Sequence, residues 1–235
     1  MRLDKFLSHM GTDSRSEIKK QVKKGNVCVD GNIVKDPGVN ISEDAIVTYC
    51  GKSISYEKYQ YYILNKPAGL LTATTDKRQP TVMDLFEGER CRDLFPVGRL
   101  DKDTVGLLLI TNDGALAHEL LSPKKHVDKV YYAKIDGPVG ENEIKAFSEG
   151  VKLSDFTALP AKLEIDSSTP NESCVHVTVF EGKFHQVKRM FEALGRKVIY
   201  LKRESMGVLK LPYDLKEGEY KALSDDEIKM LKDRN

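Results

Sequence analysis

Residues 98–114 read Gly-Arg-Leu-Asp-Lys-Asp-Thr-Val-Gly-Leu-Leu-Leu-Ile-Thr-Asn-Asp-Gly, with a cluster of charged residues placed directly before an apolar run. The part from Gly106 to Thr111 contains no charged residue and predicts a strand in the centre of a sheet. Asp101 then lies close to solvent but is attached to a rigid element. Because a catalytic carboxylate needs such a setting, Asp101 is the first candidate for a reacting group.

The composition is that of a folded globular protein with one or two domains, since 40% of the 235 residues are hydrophobic and 31% are charged. Four widely separated cysteines without a Cys-x-x-Cys pair predict neither a zinc ribbon nor a disulfide framework; they are Cys28, Cys50, Cys91 and Cys174. Residues 1–7 lack a signal-peptide core, and no run reaches the roughly 18 apolar residues of a membrane span. We therefore expect a reduced cytoplasmic protein with no membrane partner.

The charge is unevenly distributed, although the net charge is only +1. Residues 14–24 carry five basic residues and one acid, and residues 181–203 carry seven basic residues and two acids. The tail, 214–235, has seven acids and five basic residues, and its excess of acids helps to bring the net charge of the chain close to zero despite the two basic patches. Because RNA binding draws much of its affinity from phosphate neutralisation, two positive patches predict two contacts with RNA.

The N-terminal part predicts a small unit of two helices and a hairpin. Apolar residues recur at helical spacing over 3–10, and Ser14 is placed to cap a second helix that Gly25 ends. Residues 26–29 then alternate like a strand and lead into an Asp-Gly turn at 30–31. The second helix has an apolar stripe, which leaves its lysines on the outer side.

The polar stretch 51–58 is the predicted linker, and we place the domain boundary near residue 56. The domains are then 1–56, which includes the linker, and 57–235. The second domain mixes strand-like segments with amphipathic helices, which predicts an α+β fold built on a mixed sheet.

The 98–114 stretch closely resembles the active-site motif of pseudouridine synthases of the RsuA type, which isomerise uridine in ribosomal RNA. Residues 1 to about 48 likewise resemble an S4 RNA-binding domain in the order of their motifs. The resemblance implies that this chain converts a specific uridine of ribosomal RNA to pseudouridine. The form His-Gln-Val-Lys-Arg-Met at 185–190 favours small-subunit (16S) RNA.

The resemblance also implies the catalytic residues Asp101, Tyr131 and Lys188. Asp101 either attacks the ribose C1′ as a nucleophile or removes a ribose proton, and the sequence leaves both roles open. Tyr131, on a predicted strand that turns Tyr132 to the opposite face, is expected to stack on the uracil or to help remove the C5 proton. Lys188 is expected to form a salt bridge with Asp101 that keeps the carboxylate ionised.

Further residues are implied to bind RNA. Arg99 fills the space left by the flipped base or holds the backbone, and Leu201 lies against the base. Gln186 and Arg189 are expected on the side of a predicted helix, 184–194, that faces away from the core. In the S4-like part, the residues implied to face RNA phosphates are Arg15, Lys19 and Lys20.

Two further residues, His185 and Lys66, are assigned other roles. His185 is given a structural or RNA-contacting role and is left out of catalysis. Lys66, in the family-like segment 65–69, is expected to have an architectural role beneath the catalytic segment.

We expect no cofactor and no metal, because the isomerisation conserves every atom and the sequence holds no glycine-rich phosphate loop or dinucleotide fingerprint. The expected partner is ribosomal RNA or an assembling ribosomal subunit, bound by a monomer.

Three alternatives stay open: a large-subunit RNA synthase, a catalytically silent RNA-binding assembly factor, and a glycosidase. A glycosidase that used Asp101 would need a second carboxylate as the acid. Asp103 is the nearby candidate, but a strand-like segment is expected to point it elsewhere.

The basic face of the second helix makes a testable prediction. Replacing Lys19 and Lys20 with alanine should weaken RNA binding and flatten the salt dependence of log Kd by roughly 0.7–0.9 for each phosphate that the variant no longer neutralises. Binding titrations at several salt concentrations measure this slope. An unchanged slope would remove the helix from the RNA-binding face.

Overall fold

The computed structural model describes residues 1–86, 93–122 and 125–233, so Cys91 lies outside the described residues. The chain divides into two compact units, Met1–Gln60 with Phe86–Leu94, and Tyr61–Leu85 with Phe95–Asn235. Both units combine helices with strands, which confirms the α+β class. No helix in the described parts of the chain is long and apolar enough to cross a membrane.

The first unit packs two helices against a small antiparallel sheet whose strand order is β2-β1-β3-β4. The elements are α1 (Leu3–His9), α2 (Arg15–Lys23), β1 (Val27–Val29), β2 (Asn32–Ile33), β3 (Val47–Tyr49) and β4 (Lys52–Ile54). Ser14 caps α2 as predicted, because its hydroxyl accepts a hydrogen bond from the Glu17 amide at 3.3 Å. Ile18 and Val22 are fully buried, whereas the predicted RNA-facing residues of this helix are exposed.

Two tight turns shape this sheet. Residues 30 and 31 have φ values of 49° and 79°, and residues 50 and 51 have 49° and 81°. Positive φ at both central residues defines the hairpin turn that matches strand twist. The second turn leads directly into β4, which pairs with β3, so the predicted linker 51–58 is wrong in its first half. The turn signal at 50–51 carries no asparagine or aspartate, which is why the sequence pattern conceals it.

The second unit is built on a mixed sheet that has nine strands among the described residues. Its main path runs β13-β5-β7-β11-β8-β10-β9, with β6 paired to β7 and β12 paired to β11. The strands are β5 (Tyr61–Lys66), β6 (Phe95–Pro96), β7 (Val105–Thr111), β8 (Lys129–Asp136), β9 (Lys162–Ser168), β10 (Glu172–Val179), β11 (Val198–Met206), β12 (Leu209–Lys210) and β13 (Tyr220–Ala222). The helices are a 3₁₀ turn (Val82–Phe86), α3 (Gly114–Leu121), α4 (Glu141–Glu149), α5 (Gln186–Ala193) and α6 (Asp225–Lys232).

Strand β7 occupies the centre of the sheet, as its apolar run predicts. All seven of its residues are buried, and it lies between β5 and β11. The pairing with β5 is antiparallel and the pairing with β11 is parallel. Because Asp101 lies shortly before this strand, the most buried strand of the sheet anchors the segment that carries it.

Gly106 permits an unusually close approach between β7 and β11. Its φ is +102°, and a Cβ at this position would lie 2.2 Å from the carbonyl oxygen of Arg203. Residues with a side chain rarely adopt such a φ, and the space is already filled by backbone. The close pairing of the two central strands therefore requires glycine here.

Replacing Gly106 with alanine should lower the free energy of unfolding by about 2–4 kcal/mol, because the change adds backbone strain to a clash that the strands must relieve. Urea denaturation measures the loss. The matched control is Gly114→Ala, since a Cβ on Gly114 meets nothing within 4 Å and the residue begins α3. That control should be neutral or slightly stabilising. Equal stabilities of the two variants would contradict the close-approach explanation.

Candidate active site

The segment that carries Asp101 is fixed from below by Lys66, at the end of β5. The Lys66 side chain is fully buried, and its Nζ donates hydrogen bonds to the carbonyl oxygens of Pro67 at 2.9 Å, Lys102 at 3.2 Å and Thr104 at 2.9 Å. The Gly69 amide donates to the same Lys102 oxygen at 2.7 Å. Burial lowers the pKa of Lys66 to about 8. The contacts are those expected of the predicted architectural role.

A second contact holds the residue before Asp101. The Thr72 hydroxyl donates to the Leu100 carbonyl at 2.7 Å and accepts from the Leu100 amide at 3.2 Å. The Thr104 amide donates to the Asp101 carbonyl at 3.1 Å and closes a tight turn. Hydrogen bonds on both sides thus position the backbone of Asp101 and leave its carboxylate facing outward from the turn.

The Asp101 carboxylate forms the predicted ion pair with Lys188, on the first turn of α5. Lys188 Nζ lies 3.1 Å from Asp101 Oδ2 and 2.6 Å from Asp103 Oδ1. Burial alone lowers the pKa of Lys188, but hydrogen bonds to the two carboxylates raise it above the ordinary value. The hydrogen bond from Lys188 also lowers the pKa of Asp103. Lys188 and Asp103 therefore stay charged at neutral pH.

The position of Asp103 corrects the sequence prediction, which pointed its side chain elsewhere. Residues 101–104 form a turn rather than a strand, so the strand alternation does not govern their side chains. Asp101 and Asp103 consequently meet at the same ammonium group. Asp103 is the more exposed of the two, with 75% of its side chain accessible against 21% for Asp101.

His185 also reaches Asp101, a contact that the sequence pattern does not predict. Its Nε2 lies 3.4 Å from Asp101 Oδ1, whereas Lys188 faces the other carboxylate oxygen. The residue precedes α5 with a φ of 49°, and its ring stacks on the exposed Phe184 at a centroid distance of 3.8 Å. This backbone conformation turns the imidazole back toward the carboxylate.

A cavity of about 100 Å³ opens beside Asp101. Its lining residues come from the segment before β7, the end of α3, strands β8, β10 and β11, and the segment 181–187; they are Gly98, Arg99, Leu100, Asp101, Thr104, Leu121, Lys129, Tyr131, Val179, Glu181, Gly182, Lys183, His185, Gln186, Val187, Leu201 and Arg203. Tyr131 and Leu201 are buried in its wall, whereas Tyr132 is not among the lining residues. The two tyrosines lie on opposite faces of β8, and the one that lines the cavity is Tyr131, the residue that the family resemblance implies. Arg99 is exposed at the opening.

The prediction that Gln186 faces away from the core is wrong. Gln186 is 5% exposed; its amide nitrogen donates to Glu181 Oε1 at 2.8 Å and its amide oxygen accepts from the Lys183 amide at 3.1 Å. Helix α5 begins at this residue rather than at 184, so its side chain folds back onto the preceding loop. Gln186 lines the cavity, but its amide already has protein partners.

Arg189 lies outside the cavity. Its guanidinium group pairs with Asp155, lies near the Ser154 hydroxyl and covers the ring of Phe156 at 5.3 Å. Arg189 therefore lies away from the cavity. The other candidates of this unit line the cavity or, in the case of Lys188, contact Asp101 in its wall; they are Asp101, Tyr131, Lys188, Arg99, Gln186 and Leu201. The candidates of the basic helix belong to the other compact unit; they are Arg15, Lys19 and Lys20.

Two polar residues of the cavity lining are at most 2% exposed and are not among the candidates predicted from the sequence. Arg203 and Thr104 are both almost fully buried in the lining. The sequence does hold a signal for Arg203, because residues two apart on a strand share a face and Leu201 is a predicted site residue. Thr104 belongs to the 98–114 motif, in which no pattern distinguishes it from its neighbours.

The arrangement suits chemistry on a base that has been taken out of its stack. A lysine aims the carboxylate, an aromatic ring and an aliphatic side chain form the walls, and basic residues border the opening. Within the described ranges, no group of His, Cys, Asp or Glu is placed to hold a metal ion. Together with a separate unit that exposes a basic helix, this site defines an RNA-modifying enzyme.

Comparison with known proteins identifies the family. Residues 60–193 match the family model for RNA pseudouridylate synthases, and residues 1–47 match the model for the S4 domain. The chain belongs to the RNA pseudouridylate synthase family and carries an S4 domain at its N-terminus. It is therefore an isomerase, as the motif resemblance predicts.

Relatives match over nearly the whole chain. An uncharacterised RNA pseudouridine synthase of Bacillus subtilis is 45% identical over 98% of both chains. The ribosomal small subunit pseudouridine synthase A of Haemophilus influenzae is 39% identical over 98% of this chain and 99% of the relative, and that of Escherichia coli is 36% identical over 97% and 98%. A crystal structure of a pseudouridylate synthase, 39% identical, superposes with a TM-score of 0.69 over 98% of this chain and 99% of the other.

The difference between Lys188 and Arg189 makes a prediction. Lys188→Met removes the cation from Asp101 and should lower the single-turnover rate by about 100-fold or more, the usual cost of removing one preorganised electrostatic partner. Arg189→Met removes an ion pair outside the cavity and should cost less than about 10-fold. RNA-binding titrations on both variants separate affinity from rate. Equal rate losses in the two variants would contradict the assignment of Lys188 to Asp101.

Proposed function

We propose that this chain converts a specific uridine of small-subunit ribosomal RNA into pseudouridine, with Asp101 as the catalytic residue that reacts at the ribose. The observation that carries the proposal is the ion pair of Asp101 with Lys188, at 3.1 Å, because Asp101 lies in the wall of a cavity that Tyr131 and Leu201 also line. We further propose that the enzyme acts on ribosomal RNA in the cytoplasm and does so as a monomer.

The reaction breaks the bond between ribose C1′ and uracil N1, turns the base, and joins C5 to C1′. Asp101 attacks C1′ or removes a ribose proton, and each role requires an ionised carboxylate next to the sugar. Lys188 fixes the direction of Oδ2, while His185 contacts Oδ1. Two restraints on one carboxylate hold it within the narrow geometry that catalysis needs.

The walls of the cavity decide what happens to the detached base. Tyr131 offers a ring face on which a uracil can stack, and Leu201, 5% exposed, forms an apolar wall on the neighbouring strand β11. Exclusion of water by these side chains favours recombination at C5 over hydrolysis. The target base must first leave its stack at a cost of a few kcal/mol, and Arg99, exposed at the opening, is placed to occupy the space or hold the backbone.

Small-subunit RNA is favoured by the names of the Haemophilus and Escherichia relatives, which are 39% and 36% identical. The S4 domain supplies the second RNA contact, through the exposed Arg15, Lys19 and Lys20. Such phosphate contacts raise affinity without selecting a sequence.

Two further assignments belong to the proposal. We assign residues 1–56 to the S4 domain with its linker and 57–235 to the catalytic domain. Arg189 contributes to RNA binding from α5, and Gln186 contributes by shaping the loop 181–185, to which its amide is hydrogen-bonded.

The test is tritium release from RNA labelled at uridine C5. Wild type and Asp101→Asn are each incubated with small-subunit RNA, large-subunit RNA and partly assembled small subunits. We expect release by wild type on a small-subunit sample and at least about a 1,000-fold slower reaction of Asp101→Asn, because the amide neither attacks nor removes a proton.

The other outcomes each reject part of the proposal. Release on large-subunit RNA alone would move the substrate to that subunit. Binding without release on any sample would leave an RNA-binding assembly factor, and free uracil in place of pseudouridine would indicate a glycosidase.

A further inference from the structure

Arg203 is a deeply buried cation of the cavity, and its role is not explained by the Asp101 cluster. The residue is 2% exposed, and its Nε donates to the Leu107 carbonyl at 2.8 Å. Its Nη2 has no hydrogen-bond partner among the described residues. A buried guanidinium nitrogen without a partner is costly, and in a cavity lining it indicates a group that a ligand completes.

A second polar atom of the same cavity lacks a partner. Thr104 is 1% exposed, and within the described residues its Oγ1 makes no hydrogen bond. Thr104 precedes β7, and Arg203 pairs with Gly106 across the parallel β7–β11 contact. The two unsatisfied side chains therefore line one space from neighbouring central strands.

We propose that Arg203 binds a carbonyl oxygen of the target uracil and stabilises the negative charge that the base carries once its glycosidic bond is broken, with Thr104 as a second polar contact to the base. This inference rests on the proposed function. It adds a catalytic residue that acts on the leaving base, whereas Asp101 acts on the sugar.

The charge arises directly from the first step. When the C1′–N1 bond breaks, its electron pair stays on N1 and spreads to O2 and O4, so the uracil leaves as a monoanion. Asp101 loses its charge in the same step, either by bonding to C1′ or by taking the ribose proton. The guanidinium group donates a hydrogen bond to the anion and keeps its own proton. When C5 bonds to C1′, Asp101 regains its charge, either by releasing C1′ or by returning the proton to the ribose carbon. The C5 proton then leaves to solvent, and N1 takes up a proton from solvent.

A base carbonyl fits this position better than a phosphate does. The side chains that line the cavity with Arg203 include Tyr131, Val179, Val187 and Leu201, which suit the flat face of a base. A phosphodiester remains on the RNA backbone, and the exposed Arg99 and Lys183 are placed to meet it. Preorganised donors in a water-poor site are the usual means of stabilising such developing charge.

The experiment compares two RNAs, one with uridine and one with 5-fluorouridine at the target position. Fluorine withdraws electrons, so the fluorinated base is the better leaving group and depends less on Arg203. Arg203→Met should slow single-turnover consumption of the uridine RNA by about 100-fold or more, and its loss on the 5-fluorouridine RNA should be at least about tenfold smaller. Nuclease digestion and chromatography measure consumption of the target nucleoside in both RNAs.

Four further variants serve as controls. Arg196→Met removes a guanidinium group outside the cavity, paired with Glu143 at 3.8 Å, and should leave the ratio of the two rates unchanged, because this group does not reach the base. Arg203→Lys keeps the positive charge and should lose less activity than Arg203→Met; it also provides the same substrate comparison if the methionine variant fails to fold. Thr104→Val should show a smaller loss than Arg203→Met, and Thr104→Ser should show less loss than Thr104→Val.

The outcomes separate this inference from the proposed function. A wild type that consumes neither RNA rejects the proposed function itself. An active wild type with equal losses on the two RNAs limits Arg203 to a structural role, and an active Arg203→Met rejects the inference outright.

Discussion

The buried ammonium group of Lys66 is the contact on which the rest of the site depends. One Nζ joins three carbonyl oxygens, from the residue that follows it and from two residues of the Asp101 turn. Without this group, these carbonyls would have no such donor, and buried polar groups without partners are expensive. Burial disfavours the charged form of Lys66 and so lowers its pKa. The three hydrogen bonds offset part of this cost of burying the charge. Lys66 thus holds the backbone of the turn that carries Asp101. The contacts of Asp101 with Lys188 and His185 depend on the position of that backbone.

Periodicity predicts the central strand of the sheet, and the family resemblance implies Asp101 as the candidate reacting group beside it. The apolar run 106–111 becomes the central β7. Strand alternation predicts that only one of Tyr131 and Tyr132 enters the site, but it does not say which, and the structure places Tyr131 in the cavity wall. Lys188 meets Asp101 because the first turn of α5 lies beside the turn that carries the carboxylate. Hydrophobic pattern and strand period act over a few residues, so local sequence carries such features. The larger arrangement follows once the central strand is in place.

The features that sequence reasoning does not find depend on the exact direction of the chain. Asp103 joins the Lys188 cluster because 101–104 turns, and Gln186 is buried because α5 begins two residues later than its pattern indicates. His185 reaches Asp101 through a left-handed backbone conformation that no periodic pattern encodes. Arg203 depends on a pairing between strands that lie about a hundred residues apart in sequence. Element boundaries and long-range register are where one-dimensional patterns carry the least information.

The absence of a side chain at Gly106 fixes the distance between the two strands β7 and β11 beside the site. Backbone atoms of β7 and β11 meet there without any side chain between them, so main-chain packing determines the separation between the carboxylate turn and the strand that carries Arg203. Side chains change rotamers readily, whereas two hydrogen-bonded strands in the middle of a sheet do not move apart by a fraction of an ångström. On the proposed function, backbone packing at Gly106 therefore fixes the distance between the residue that acts on the sugar and the residue that binds the base.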